Sequence, residues 1–235
     1  MPHRIIIALD TDMPTALALA ERLHGRARWL KVGMTLFYAE GPSTVARLRE
    51  MGFDVFLDLK LHDIPHQVAG AASEIARLGV GMVSVHASGG SAMVRAAAEG
   101  LAEGAAKAGV ACPKLLAVTV LTSMDAAALA EVGVPDPPAE QVLRLAHVAR
   151  HGGADGVVCS PEEAARMRAL LGADALVVTP GVRPAGSDAG DQARVATPRA
   201  AVAAGASHLV IGRPITAADN PVAAYERIVA EVSGL

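Results

Sequence analysis

Lysine is scarce in this chain. Only four of its 21 lysine and arginine residues are lysines, Lys31, Lys60, Lys107 and Lys114, so arginine carries most of the positive charge. Lys31 and Lys60 each end an apolar run, a place where solubility does not explain a lysine. Cysteine is scarcer still. Cys112 and Cys159 sit in apolar contexts without metal-like spacing, which fits two buried free thiols in a reducing compartment. No apolar run reaches the roughly 18 residues of a membrane span, and Met1-Pro2-His3-Arg4 runs directly into a strand pattern rather than a secretory h-region. No basic run of about five or more appears, and the formal net charge is −3. Nucleic acid and membrane are therefore not expected as partners, and any anionic ligand must be held by local groups. The expectation is a soluble, cytoplasmic protein.

Strand signals rich in Val, Ile and Leu recur near residues 4–10, 28–33, 54–60, 81–86, 115–121, 155–159, 175–179 and 208–212. Alanine-rich helical patterns lie between them at about 13–24, 42–51, 64–78, 91–107, 138–151, 161–170, 197–204 and 221–233, with room for a small extra helix over 125–131. Alternating strands and helices imply a parallel sheet with helices outside. Eight of each in 235 residues predict a single-domain TIM (β/α)8 barrel covering residues 1–235. The Gly- and Pro-rich stretch 180–196 reads as a long mobile loop after strand seven.

The densest chemistry lies at Asp58-Leu59-Lys60-Leu61-His62-Asp63-Ile64-Pro65. Strand parity puts Phe56, Asp58 and Lys60 on one face and Val55, Leu57 and Leu59 on the other. The same rule groups Ile6, Ala8 and Asp10, and again Trp29, Lys31 and Gly33. If the three strands are neighbours, Asp10, Lys31, Asp58 and Lys60 converge at one carboxyl end with alternating sign. Burying such ions costs several kcal/mol each unless they pair. The array is then either a structural ion network closing the barrel or an electrostatic catalytic site. Barrel enzymes carry their sites at this end, often with a phosphate subsite after strands seven and eight. Pro180-Gly181-Val182-Arg183 and Gly212-Arg213-Pro214-Ile215 stand there; each is a Gly-Arg turn able to take phosphate, or simply a strand-to-helix turn. His86 is either a base or a rim histidine satisfied by neighbours, His62 and His66 have no zinc-like spacing, and Asp63 has the position of a helix N-cap.

Taken together, Ala8-Leu9-Asp10, Lys31-Val32-Gly33, the Asp58 to Pro65 run, Val120-Leu121-Thr122-Ser123, Pro180 to Arg183, Asp191-Gln192-Ala193-Arg194-Val195 and Gly212 to Ile215 form an ordered set. In that set the chain resembles the orotidine 5′-phosphate decarboxylases of bacterial type over nearly its whole length. The resemblance implies a homodimer that turns orotidine 5′-monophosphate into UMP and CO2, the last step of UMP synthesis, without metal or organic cofactor. It implies Lys60 as the acid that protonates C6, Asp58 beside the departing carboxylate, and Lys31 completing the array and contacting ribose. Asp63 and Ile64 would reach the partner subunit's site. Asp10 would bind ribose hydroxyls, Thr122 the base, and Gln192, Arg183, Gly212 and Arg213 the phosphate. The chain departs from the family pattern after Ile64-Pro65, where His66-Gln67 stands for Asn-Thr, so that Gln67 would make the ribose or cross-subunit contact with a carboxamide instead of a hydroxyl. Two other readings share parts of the pattern: a Mg2+-dependent sugar-phosphate decarboxylase or aldolase built on the Asp-x-Lys-x-x-Asp core, and a catalytically silent phosphate-binding barrel.

Overall fold

The computed structural model describes residues 4–184 and 196–233. Its strands are β1 (Ile5–Ala8), β2 (Trp29–Gly33), β3 (Asp54–Leu61), β4 (Met82–His86), β5 (Lys114–Val118), β6 (Gly156–Val158), β7 (Leu176–Thr179) and β8 (His208–Ile211). They pair in parallel in sequence order and close when Ile5, Ile6 and Ile7 of β1 meet Leu209, Val210 and Ile211 of β8. The fold is a TIM barrel. Helices α1 (Met13–Leu23), α2 (Met34–Glu40), α3 (Ser43–Glu50), α4 (Pro65–Arg77), α5 (Gly90–Ala108), α6 (Ala126–Glu131), α7 (Pro138–His151), α8 (Ala164–Leu171), α9 (Pro198–Ala203), α10 (Arg213–Thr216) and α11 (Pro221–Val232) surround it. Among the described residues no helix is long and apolar enough to cross a membrane.

Two cores follow from strand parity. Residues such as Ile5, Ile7, Leu30, Val55, Leu57, Val83 and Val85 face outward and pack with the helices, while Ile6, Ala8, Trp29, Phe56, Met82, Leu116, Val178 and Val210 fill the barrel interior. Strands covered on both faces are why the sequence shows near-continuous apolar runs. Helix starts are set by side chains that accept from the first free amides: Asp12 for α1, Asp125 for α6, Thr197 for α9 and Asn220 for α11. Helices α4 and α5, which flank β4, approach so closely that a Cβ on Gly104 would fall 2.0 Å from the Ser73 carbonyl oxygen. Only glycine fits there.

Several expectations shift. α2 and the four-residue α10 were not expected, because each follows its strand without a break: Gly33 ends β2 and caps α2, and Gly212 follows β8 and caps α10. Asp63 is not the cap of α4. Pro65 opens that helix and disfavours helical geometry in the residue before it, so Ile64 takes the cap position with φ −57° and ψ 149°. Asp63 instead accepts a 2.6 Å hydrogen bond from the Ile64 amide. Cys159 is buried, but Cys112 is exposed in the connection before β5. Of the loop expected over 180–196, residues 185–195 and with them Gln192 lie outside the described residues. Its two stems are joined, the Arg183 amide donating to the Ala196 carbonyl at 2.9 Å.

Candidate active site

β1, β2 and β3 lie side by side, with Ala8 opposite Lys31 and Gly33 opposite Asp58. Inward residues two apart on each strand therefore stack toward the carboxyl rim. Lys31 Nζ stands 3.0 Å from Asp10 Oδ1 and 3.6 Å from Asp58 Oδ2, and Lys60 Nζ stands 2.9 Å from the same Asp58 oxygen. The four charges form one chain of alternating sign. Lys31 and Asp58 are almost buried, Lys60 is about a quarter exposed by its side chain and Asp10 opens to solvent. A Cβ on Gly33 would come within 3.0 Å of Asp10 Oδ1 and 3.1 Å of Lys31 Nζ, so the glycine keeps the space in which this pair meets.

Burial pushes the Asp58 carboxyl up, but Lys31 and Lys60, with hydrogen bonds from Ser84 and Lys60, outweigh it and hold the group below the ordinary aspartate value of 3.8. Asp58 thus stays ionised at neutral pH in a site that by itself would neutralise it. Lys60 has φ +54°, making it the one non-glycine with positive φ among the described residues. Such a backbone costs of order 1–3 kcal/mol and persists only where surrounding contacts enforce it.

The array forms one wall of a 440 Å³ cavity. Phe56, Val118, Val158 and Val210 make an apolar floor, and the turns after β7 and β8 add Pro180, Gly181 and Arg183, and Gly212, Arg213 and Thr216, to the lining. Thr122 also lines it. Asp10, Lys31, Asp58, Lys60, Thr122, Arg183, Gly212 and Arg213 are thereby brought together. Asp63, Ile64 and Gln67 are not: they are exposed at the start of α4 and do not line this cavity. His86 is half-buried on the rim beside His62, their ring centroids 5.5 Å apart, and burial followed by the charges of His62 and Lys60 pushes its imidazole pKa down.

A cavity with a cationic anion-binding side, an apolar floor and an ionised Lys-Asp-Lys wall suits a flat phosphorylated substrate in which negative charge develops near a lysine. The model of the "Orotidine 5'-phosphate decarboxylase / HUMPS family" matches residues 3–228 of the chain. The chain belongs to this family. Within it, a curated orotidine 5′-phosphate decarboxylase of Halorhodospira halophila is 56% identical over 99% of this chain and 97% of its own, and one of Moorella thermoacetica is 53% identical over 97% and 92%. The crystal structure of orotidine 5′-phosphate decarboxylase from Lactobacillus acidophilus superposes with a TM-score of 0.87 at 44% identity, covering 98% of this chain and 99% of that one.

Sequence reasoning about this decarboxylase/HUMPS family member passed over Ser84, which is fully buried and donates to Asp58 Oδ1 at 2.7 Å. The signal existed: parity puts Met82, Ser84 and His86 on the inward face of β4. Val118 and Val158 of the cavity lining were likewise hidden inside apolar runs.

Proposed function

We propose that the chain decarboxylates orotidine 5′-monophosphate to UMP, completing UMP synthesis, by electrostatic catalysis that uses neither metal nor organic cofactor. The observation that carries this reading is the Asp10-Lys31-Asp58-Lys60 chain of charge lining one cavity with Arg183 and Arg213, in a chain 56% identical to a decarboxylase of that name.

The C6–carboxylate bond breaks with its electron pair left on C6, CO2 departs, and Lys60 delivers a proton to C6. No neighbouring carbonyl spreads that electron pair, so a prepositioned ammonium stabilises the developing charge before protonating it. Asp58, kept ionised beside the scissile carboxylate, raises the energy of the bound ground state, and this repulsion is relieved as CO2 leaves. Lys31 bridges Asp58 and Asp10, the two lysines together balancing the two carboxylates, and with Asp10 contacts the ribose hydroxyls. Thr122 binds the base. Arg183, Arg213 and the Gly212 backbone hold the phosphate, with Gln192 assigned there by the family motif, and phosphate binding energy is used at the reacting carbon.

The working unit in this reading is a homodimer in which Asp63 and Ile64 complete the partner's site and Gln67 supports that contact. Their exposure outside their own cavity supports it. So does the run of exposed apolar side chains after the carboxyl ends of β2, β3 and β5, namely Met34, Tyr38, Ile64 and Leu121. Light scattering of the purified chain should give twice the chain mass; a monomer mass at assay concentration removes the shared site.

The deciding assay follows the ultraviolet absorbance of orotidine 5′-monophosphate in EDTA. Wild type should convert it to UMP, and Lys60→Ala should lose at least about 10⁴-fold of the rate while remaining folded. Turnover that disappears in EDTA and returns with Mg2+ on a sugar phosphate would replace this reading with the metal-dependent one.

A further inference from the structure

We infer that Ser84 is a positioning residue for the reaction: its buried hydroxyl joins the left-handed backbone of Lys60 to the carboxylate of Asp58 and so fixes where the lysine ammonium stands. The effect on rate rests on the decarboxylase reading above; the coupling itself does not.

The ladder between β3 and β4 is broken at this point. Leu57 pairs with Val83 and Leu61 with Val85, so four residue steps on β3 oppose two on β4, and Ser84 lies at the centre of the bulge. A bulge re-aims side chains by removing residues from regular pairing. Lys60 is one of the displaced residues, and its amide donates to Ser84 Oγ at 3.0 Å. The same oxygen donates to Asp58 Oδ1 at 2.7 Å. A hydroxyl accepts and donates at once, which no aliphatic side chain of this size does. With Oδ1 held by Ser84, the other oxygen of Asp58 faces the two lysines, 2.9 Å from Lys60 Nζ and 3.6 Å from Lys31 Nζ. Backbone and side chain of Lys60 are therefore tied to one buried atom group through Ser84 and Asp58.

Deleting the hydroxyl leaves the Lys60 amide and Asp58 Oδ1 each short of a partner where Ser84 itself has no solvent exposure. The backbone of Lys60 then has no contact at its amide opposing return to an ordinary φ, and that return swings the ammonium off Asp58. Chemistry suffers while phosphate and ribose contacts remain.

The test compares S84A and S84T with wild type on orotidine 5′-monophosphate, together with a crystal structure of S84A. S84A should lower kcat by about 100-fold, the loss typical of a misplaced catalytic group. Its KM should stay within about threefold, and S84T, which keeps the hydroxyl, should recover to within about tenfold of wild type. The acid limb of its rate profile should move to higher pH, since Asp58 loses a donor that favours its ionised form. The crystal structure should show Lys60 out of the left-handed region. A kcat within about threefold of wild type, or a loss carried by KM alone, overturns the inference. So does an S84A structure that keeps Lys60 at positive φ with its ammonium on Asp58. Should S84A not fold, S84C, which keeps the shape with a weaker donor, takes its place with an expected loss of about tenfold and the same overturning results. A wild type inert toward orotidine 5′-monophosphate defeats the decarboxylase reading alone, and the S84A structure still decides the role of Ser84.

Discussion

The two ends of the barrel interior are built from the same strands and treat burial in opposite ways. At the amino end Trp29 and His208 meet edge to face with ring centroids 6.2 Å apart, and burial, followed by the charges of Arg4 and Arg28, pushes the His208 imidazole down to about 4. At the carboxyl end, Lys31, two residues beyond Trp29 on β2, and Asp58, on the neighbouring β3, are as buried as Trp29 and more buried than His208, and they form an ion pair. Desolvation favours the neutral form at each end. The difference lies in the sign of the charges nearby. Each group also meets a neutral hydroxyl, Ser207 Oγ standing 3.1 Å from His208 Nδ1, but the charges that act on His208 are the cations Arg4 and Arg28, while those that act on Asp58 are the opposite charges of Lys31 and Lys60. The charges of this rim stand where opposite charge is within reach, from the neighbouring strand for Lys31 and Asp58 and from the same strand for Lys60. The floor therefore holds the fold together, and the rim carries a field held ready for substrate.

Trp29→Ala should do the largest damage to stability, about 3–5 kcal/mol by denaturant unfolding, because it empties the floor next to His208. Turnover per folded molecule should stay near wild type. Lys31→Met, two residues along the same strand, should reverse the pattern, lowering turnover by about 10²–10³-fold as one preorganised charge is lost. If Trp29→Ala mainly slows chemistry, or Lys31→Met mainly unfolds the protein, the division between floor and rim is wrong.

The smallest effect is in pH. His208 titrates near 4 folded against an ordinary 6.5, so the unfolded chain takes up a proton first as pH falls. The stability it contributes is whole above 6.5 and is lost as pH drops toward about 4, a change of order 3 kcal/mol. Asp58, with its carboxyl held below 3.8, contributes stability that is present above that value and lost only at lower pH. Calorimetry of His208→Asn should show a flatter Tm between pH 6.5 and 4 with the deeper acid loss intact. An unchanged slope in that window would mean that the floor histidine is not the group being protonated.

The rim was legible because charge at the end of an apolar run is a strong signal and period-two alternation converts it into a face. Asp10, Lys31, Asp58 and Lys60 meet as parity requires. What parity does not carry is local irregularity. The left-handed backbone of Lys60 has no glycine to announce it, and the bulge that produces it depends on pairing with β4, a contact across some 24 residues of sequence. Parity placed Ser84 on the inward face of β4 but not its role: a lone serine in a buried strand reads as a tolerated small residue until its two partners are seen. Helix α2 was missed because Met34-Thr35-Leu36-Phe37-Tyr38 continues an apolar run, and only the extended Gly33 separates strand from helix.

Closure of the barrel between β1 and β8 has a consequence for synthesis. The first strand of the barrel to be synthesised, Ile5-Ile6-Ile7-Ala8, pairs on one side with β2, but its other edge belongs to a strand that begins at His208. At bacterial and eukaryotic elongation rates that partner arrives roughly 10–40 s later. Throughout that interval the nascent chain carries an unpaired, wholly aliphatic edge, the kind that recruits other strands. The order of synthesis thus leaves this edge waiting for its partner until nearly the whole barrel has been made.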